Sequence, residues 1–152
     1  MKFSKIVETS LYSSNLEDMK DFYVDKLGLE FVSEQKGWHV FLKTDNNMLL
    51  IFNHEITITE NETSHGASTP PSVIHIAFEI ESGGYDTAKK MLIQSNIQIE
   101  KEIEWGNSIK SKSIYFRDPA GNLVEFITKN YWALMDWFCS LINQYGSICS
   151  TM

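Results

Sequence analysis

Cysteine is scarce in this chain of 152 residues: Cys139 and Cys149 are the only two, both near the end, and their spacing matches no metal-binding or redox motif. Reduced thiols and a cytoplasmic location are the expectation. Proline occurs three times, and Pro70-Pro71 fall in a stretch, 55–72, rich in Thr, Asn, Ser and Gly. That stretch has little apolar pattern and reads as a linker. Positive charge is also short, with 13 Lys and Arg against 20 Asp and Glu, a net charge of −7 and a pI near 5.0. Neutralising phosphates takes clustered Lys and Arg, so a nucleic-acid partner is not expected. No apolar run approaches the ~18 residues of a spanning helix. The opening Met1-Lys2-Phe3-Ser4-Lys5-Ile6-Val7-Glu8 lacks the apolar stretch of a secretory signal, so no membrane partner is expected either. Also missing are a Ser-His-Asp order, a glycine-rich nucleotide loop and an HExxH helix, which leaves hydrolase and dinucleotide chemistry without support.

What the chain does have is one pattern stated twice. A content of 43% hydrophobic and 12% aromatic residues is enough to bury a core. Glu8 to Tyr12 leads into helix-like Leu16 to Leu27, then Gly28-Leu29-Glu30-Phe31; His75 to Ile80 leads into Tyr85 to Gln94, then Asn96-Ile97-Gln98-Ile99. Each copy closes on a polar turn and an apolar strand, Asp45-Asn46-Asn47 before Met48 to Phe52, and Asp118-Pro119-Ala120-Gly121-Asn122 before Leu123 to Phe126. Two copies point to a paired-module domain rather than a solenoid. Strands are expected at 6–12, 29–34, 38–43 and 48–53, and again at 73–80, 97–102, 111–117 and 122–128, with helices at 16–27 and 84–95. Ser14 and Asn15 are N-cap candidates, with Glu17 and Asp18 three residues beyond each, and Gly28 is the expected stop. The loop Trp105-Gly106-Asn107-Ser108 is expected at a site mouth. The tail, 131–152, carries Leu134, Phe138, Leu141, Ile142 and Tyr145 on one helical face. It is expected to be a helix packed on the body or on a partner subunit; it lacks the Lys and Arg that anchor a membrane-surface helix.

These pieces resemble the vicinal oxygen chelate superfamily, the group of glyoxalase I, extradiol dioxygenases, fosfomycin-resistance thiol transferases and bleomycin-resistance proteins. The resemblance rests on Asn15-Leu16-Glu17-Asp18-Met19-Lys20-Asp21-Phe22-Tyr23 with Leu27-Gly28-Leu29, on His75-Ile76-Ala77-Phe78, and on Phe116 through Glu125. It covers about residues 4–130 and leaves out the tail. It implies an α+β domain, 1–130, in which two tandem βαβββ modules, about 4–54 and 73–130, curl into an open mixed β-barrel around a central cavity. It also implies a homodimer.

Within such a domain the resemblance implies a divalent metal ion (Zn, Ni, Mn or Fe) held by the first and last strands of each module. Carried over, the ligand positions are Glu8, His75 and Glu125, with the fourth on Leu50 or Ile51, both apolar. One imidazole and two carboxylates suffice for a hard or borderline cation, with open positions left for water or substrate. Read singly, each residue has a plainer explanation. Glu8 suits a solvated face, His75 suits an interior histidine, and Glu125 alternates away from Val124 and Phe126 toward solvent or interior. His65, in the linker, is a further candidate ligand or acid/base group; His54 is a weaker one, and His39 reads as structural. Glu8 or Glu125 is expected to double as a base in proton transfer if substrate displaces it. The function implied is a metal-dependent enzyme acting on a small oxygen-bearing substrate: an isomerase or lyase, a dioxygenase, or a thiol transferase. The rival is a sequestering protein of the bleomycin-resistance type, with Tyr12, Trp38, Trp105 and Tyr115 lining a groove.

Overall fold

A computed structural model describes residues 2, 4–59, 72–105 and 111–129. His65, the loop residues Gly106 to Ser108, both cysteines and the tail lie outside the described residues. The first repeat builds β1 (Glu8–Tyr12), α1 (Leu16–Lys20), β2 (Glu30–Gln35), β3 (His39–Lys43), β4 (Met48–Phe52) and a short α2 (His54–Thr57). The second builds β5 (His75–Ile80), α3 (Tyr85–Gln94), β6 (Ile99–Trp105), β7 (Ser111–Arg117) and β8 (Leu123–Thr128). Each repeat makes its own four-stranded sheet, ordered β1-β4-β3-β2 and β5-β8-β7-β6. The class is α+β with mixed sheets, as expected. Among the described residues no helix is long and apolar enough to cross a membrane.

Three local features depart from the sequence reading. The helix expected over 16–27 starts as an α-helix capped by Asn15, whose side chain accepts from the Asp18 N–H at 3.2 Å, and then widens over Asp21–Lys26 into π-helix. The Leu27 N–H reaches the Phe22 carbonyl at 3.0 Å, and Gly28 ends the element at φ +79°, a value glycine reaches without strain. Residues 55–57 of the expected linker are helical, because Asn53 caps α2 by accepting from the Glu55 N–H at 3.0 Å. Trp105, expected in a loop, ends β6 and lies opposite Ser111.

The duplication is visible in the hydrogen bonding. Met48 N–H donates to Val7 O at 2.9 Å, and Leu123 N–H donates to Ile74 O at 2.8 Å. Counting on from those bonds, Glu8 corresponds to His75 and Leu50 to Glu125. A register shift falls just after the start of β2, between Phe31 and Ser33, and again just after the start of β6, between Ile99 and Lys101.

The described residues form two compact units: those up to His75 together with Arg117–Leu123, and Ile76–Phe116 together with those from Val124 onward. In the first unit, Leu11, Val40, Leu42, Leu49 and Ile51 line one face of the sheet, and Leu16, Met19, Phe22 and Tyr23 of the helix are likewise buried. Burying each such side chain contributes about 1.5–3 kcal/mol relative to exposure. β4 is buried on both faces, Leu49 through Phe52, because it is an inner strand between parallel β1 and antiparallel β3. In the second unit, Ala88, Leu92, Ile97, Ile114, Phe116, Val124 and Phe126 are buried, with the rings of Phe116 and Phe126 edge to face at 4.9 Å.

Candidate functional site

The Asp118-Pro119-Ala120-Gly121-Asn122 turn does structural work. Asp118 is 4% exposed, and its carboxylate accepts from the Ala120 N–H, the Asn122 N–H, the Asn122 side-chain amide and the Tyr23 hydroxyl, at 2.8–3.0 Å. Four donors on one carboxylate are what make its burial tolerable. Tyr23, fully buried, has its phenol pushed far above the ordinary value by burial and then by the Asp118 charge. Asn122 in turn accepts from the Ile74 N–H at 3.1 Å, and Gly121 turns the chain at φ +85°. The turn therefore ties residues 117–123 to the first repeat's helix within the first compact unit. It also fixes the residue before His75, which explains why it falls in the first compact unit.

Glu8 opens β1 and His75 opens β5; both are exposed. Alternation sets Glu8, Ser10 and Tyr12 on the face of β1 opposite Leu11. The register pairs them with Met48, Leu50 and Phe52, and those with Lys43, Phe41 and His39. Leu50, not Ile51, therefore occupies the place that corresponds to Glu125, since Ile51 shares the core face with Leu11. The surroundings of Leu50 are aromatic: His39 stacks on Phe41 at 4.1 Å, Phe41 meets Phe52 at 5.6 Å, and Tyr12 meets Phe52 at 6.2 Å. The structural reading of His39 fits this stacking. His54 lines a cavity of about 290 Å³ with Tyr12, Ser13, Asn15, Val73 and Asn122, at the end of β1 away from Glu8.

Glu125, in β8, is 5% exposed and faces away from buried Val124 and Phe126. Phe126 packs against Phe78, so His75, Ala77 and Glu79 alternate onto the other face of β5. Glu125 accepts a hydrogen bond from Tyr115, whose phenol is pushed up to about 12 by burial first and then by that bond and the charge of Glu125. Ser113 bonds Tyr115 as well, and the Trp105 indole N–H donates to Ser113 Oγ at 2.7 Å. Tyr115 bonds Glu125 and Ser113 bonds Tyr115; Tyr115 entered the sequence reading only as a groove aromatic and Ser113 not at all. Their signal was the alternation Ser111, Ser113, Tyr115 along β7, which puts three hydroxyls on one face.

In donor type, Glu8, His75 and Glu125 fit a divalent cation, and the buried, hydrogen-bonded carboxylate of Glu125 is the kind of group that suits a ligand. Among the described residues no three His, Cys, Asp or Glu side chains gather as a metal-holding cluster.

Comparison with known proteins converges on one family. The family model described as Glyoxalase/Bleomycin resistance protein/Dioxygenase superfamily matches residues 5–126. A solved lactoylglutathione lyase from Agrobacterium tumefaciens is 30% identical, with a TM-score of 0.76 over 87% of this chain and 98% of that one. Two further structures share the fold. A glyoxalase/bleomycin resistance protein/dioxygenase from Nocardioides is 21% identical, with a TM-score of 0.66 over 84% of this chain and 85% of its own. A virulence protein from Salmonella typhimurium is 22% identical, with a TM-score of 0.67 over 84% and 98%.

Proposed function

The chain belongs to the glyoxalase/bleomycin resistance protein/dioxygenase superfamily, and on that premise we propose that it is a divalent-metal-dependent enzyme of the lyase or isomerase kind, acting on a small thiol-linked, oxygen-bearing substrate. The observation that carries the reading is the 30% identity, over nearly the whole length of both chains, to a protein named as a lactoylglutathione lyase. Glu8, His75 and Glu125 are the residues that would hold the ion. When bound, the ion supplies Lewis-acid polarisation of a substrate oxygen. The chain's own part is to move a proton between neighbouring carbons of the substrate. Glu8, exposed and free to swing, takes the proton and returns it, while Glu125 stays fixed. Atoms balance, since the reaction is an internal proton shift with no net gain or loss. The test is conversion of glutathione hemithioacetals to the thioester, with Zn²⁺, Ni²⁺, Mn²⁺ or Fe²⁺ added to chelator-treated protein. Metal-dependent turnover that is lost in His75→Ala supports the reading; no turnover with any of the four ions overturns it.

A second reading has its own observation. The cluster of Tyr12, His39, Phe41 and Phe52 on the Glu8 face suits a ring-bearing ligand, as in a sequestering protein. Metal-free protein that binds an organic cation stoichiometrically, and turns nothing over, favours it. In either case we propose a homodimer. Ile6, Val7 and Val73, just before the first strand of each repeat, are 74%, 58% and 62% exposed, and paired subunits would cover them. Light scattering of Ile6→Glu beside the unsubstituted protein checks this, with a fall to monomer mass expected.

A further inference from the structure

We propose that Trp105, Ser113 and Tyr115 form a one-way hydrogen-bond chain that ends on Glu125 and positions its carboxylate as the fixed donor of the site. The role as donor rests on the function proposed above; the chain itself does not.

The geometry comes from one face of the second sheet. Lys101 lies opposite Tyr115, Ile103 opposite Ser113 and Trp105 opposite Ser111, so Trp105 reaches diagonally to Ser113 on the face that carries Tyr115. The Trp105 indole donates to Ser113 Oγ at 2.7 Å, Ser113 bonds Tyr115, and Tyr115 bonds Glu125.

Chemistry fixes the direction. An indole N–H only donates and an ionised carboxylate only accepts, so two hydroxyls strung between them have a single consistent polarity. Trp105 gives to Ser113, Ser113 gives to Tyr115, and Tyr115 gives to Glu125. Each link polarises the next, so the last donor is stronger than an isolated phenol.

The chain orients Glu125 and does not touch the reacting atoms. Ser113 is fully buried, which keeps water from competing for the middle link. In the first repeat, Leu50 stands where Glu125 stands in the second and needs no such chain, so the device follows the carboxylate.

The test uses the full chain with ¹⁵N-labelled tryptophan and its four indole signals, that of Trp105 assigned by its loss in Trp105→Phe. In metal-free protein, Glu125→Gln is expected to shift the Trp105 indole N–H resonance, and the same substitution in a Tyr115→Phe background is expected to leave it in place. Ser113→Ala serves where Tyr115→Phe fails to fold, because it breaks the chain one link away and keeps the ring. In a Zn²⁺ competition titration, Tyr115→Phe is expected to weaken binding about tenfold, with Trp105→Phe weakening it less. A Trp105 resonance that ignores Glu125→Gln in the Tyr115-containing protein overturns the chain. Unsubstituted protein that takes up no Zn²⁺ overturns the metal reading instead, while the resonance comparison still decides the chain.

Discussion

Leu50 in β4 and Glu125 in β8 stand at corresponding places in the two repeats and are nearly equally buried, at 3% and 5% exposure. Around Leu50 the neighbours are rings: Phe41 lies directly opposite it, and Phe52 and His39 are near. Beside Glu125 is a hydroxyl, that of Tyr115, with Ser113 and an indole behind it. The turns differ in the same sense. Five residues before Leu123 stands Asp118, buried under four donors; five residues before Met48 stands Lys43, exposed and 3.6 Å from Glu30. Duplication supplied two equal frames. The second has taken on the buried charges together with the donors that satisfy them, and the first has taken on packing. A carboxylate cannot move into such a place alone, because desolvating it without partners costs several kcal/mol.

The largest test of this contrast is the pair Asp118→Ala and Lys43→Ala. Removing Asp118 leaves the Tyr23 hydroxyl, two backbone N–H groups and an amide without their acceptor, so a loss of roughly 3–4 kcal/mol in urea unfolding is expected. Lys43→Ala should stay within about 0.5 kcal/mol. Similar losses for the two would mean that the turns are equivalent after all.

Next in size is Leu50→Glu. In metal-free protein it buries a carboxylate among rings and should cost about 2–3 kcal/mol. With metal present it restores the missing corner, so binding should tighten about tenfold in a competition titration and much of the stability should return. Ile51→Glu is the control, since it places the charge in the core beside Leu11 and should destabilise with or without metal. If Leu50→Glu binds metal no better, Leu50 does not stand in for a ligand.

Much of the frame was legible in the sequence, because period and punctuation carry it. The two copies, the Asn15 cap, the Gly28 stop and strand 111–117 were all readable. The π-helical widening over Asp21–Lys26 was not, since apolar spacing at 16–27 suits an α-helix and does not mark where its hydrogen bonds lengthen by one residue. The Asp-Pro-x-Gly-Asn turn was recognisable as a motif, but its four-donor burial was not, since Tyr23 meets Asp118 from a distant part of the chain. The choice between Leu50 and Ile51 required the pairing register, because a slip of one residue reverses every side chain. Candidate ligands could be named by residue type, whereas the hydroxyls behind Glu125 could not, because Ser and Tyr in a strand are common and only cross-strand geometry joins them.

Tyr23→Phe sharpens the same contrast on a smaller scale. It removes one donor from Asp118 and should cost about 1–2 kcal/mol at neutral pH. The tyrosine ionises less readily in the fold than in the unfolded chain. Its contribution is therefore complete below the ordinary phenol value near 10 and is lost as pH climbs above it. Stability of the unsubstituted protein should fall in that alkaline window more steeply than that of Tyr23→Phe, as followed by circular dichroism. Parallel curves would mean that the phenol is not held neutral by the fold.

The smallest expected effect on folding separates the two site carboxylates. Glu8 is exposed at the start of an edge strand, so it has given up little hydration and the fold does not depend on it. Glu8→Gln should therefore leave the unfolding midpoint within the equivalent of about 0.5 kcal/mol. Glu125→Gln changes a buried acceptor at the end of a hydrogen-bond chain and should move that midpoint more. Metal affinity should respond to both, because a ligand counts by its charge and reach whether or not the fold depends on it. Glu8 then has the freedom a proton-transferring group needs, and Glu125 has the fixity of an anchor. Should Glu8→Gln destabilise the protein as much as Glu125→Gln, the division of labour between a mobile and an anchored carboxylate is wrong. Unchanged metal affinity in Glu8→Gln would instead leave His75 and Glu125 to hold the ion without it.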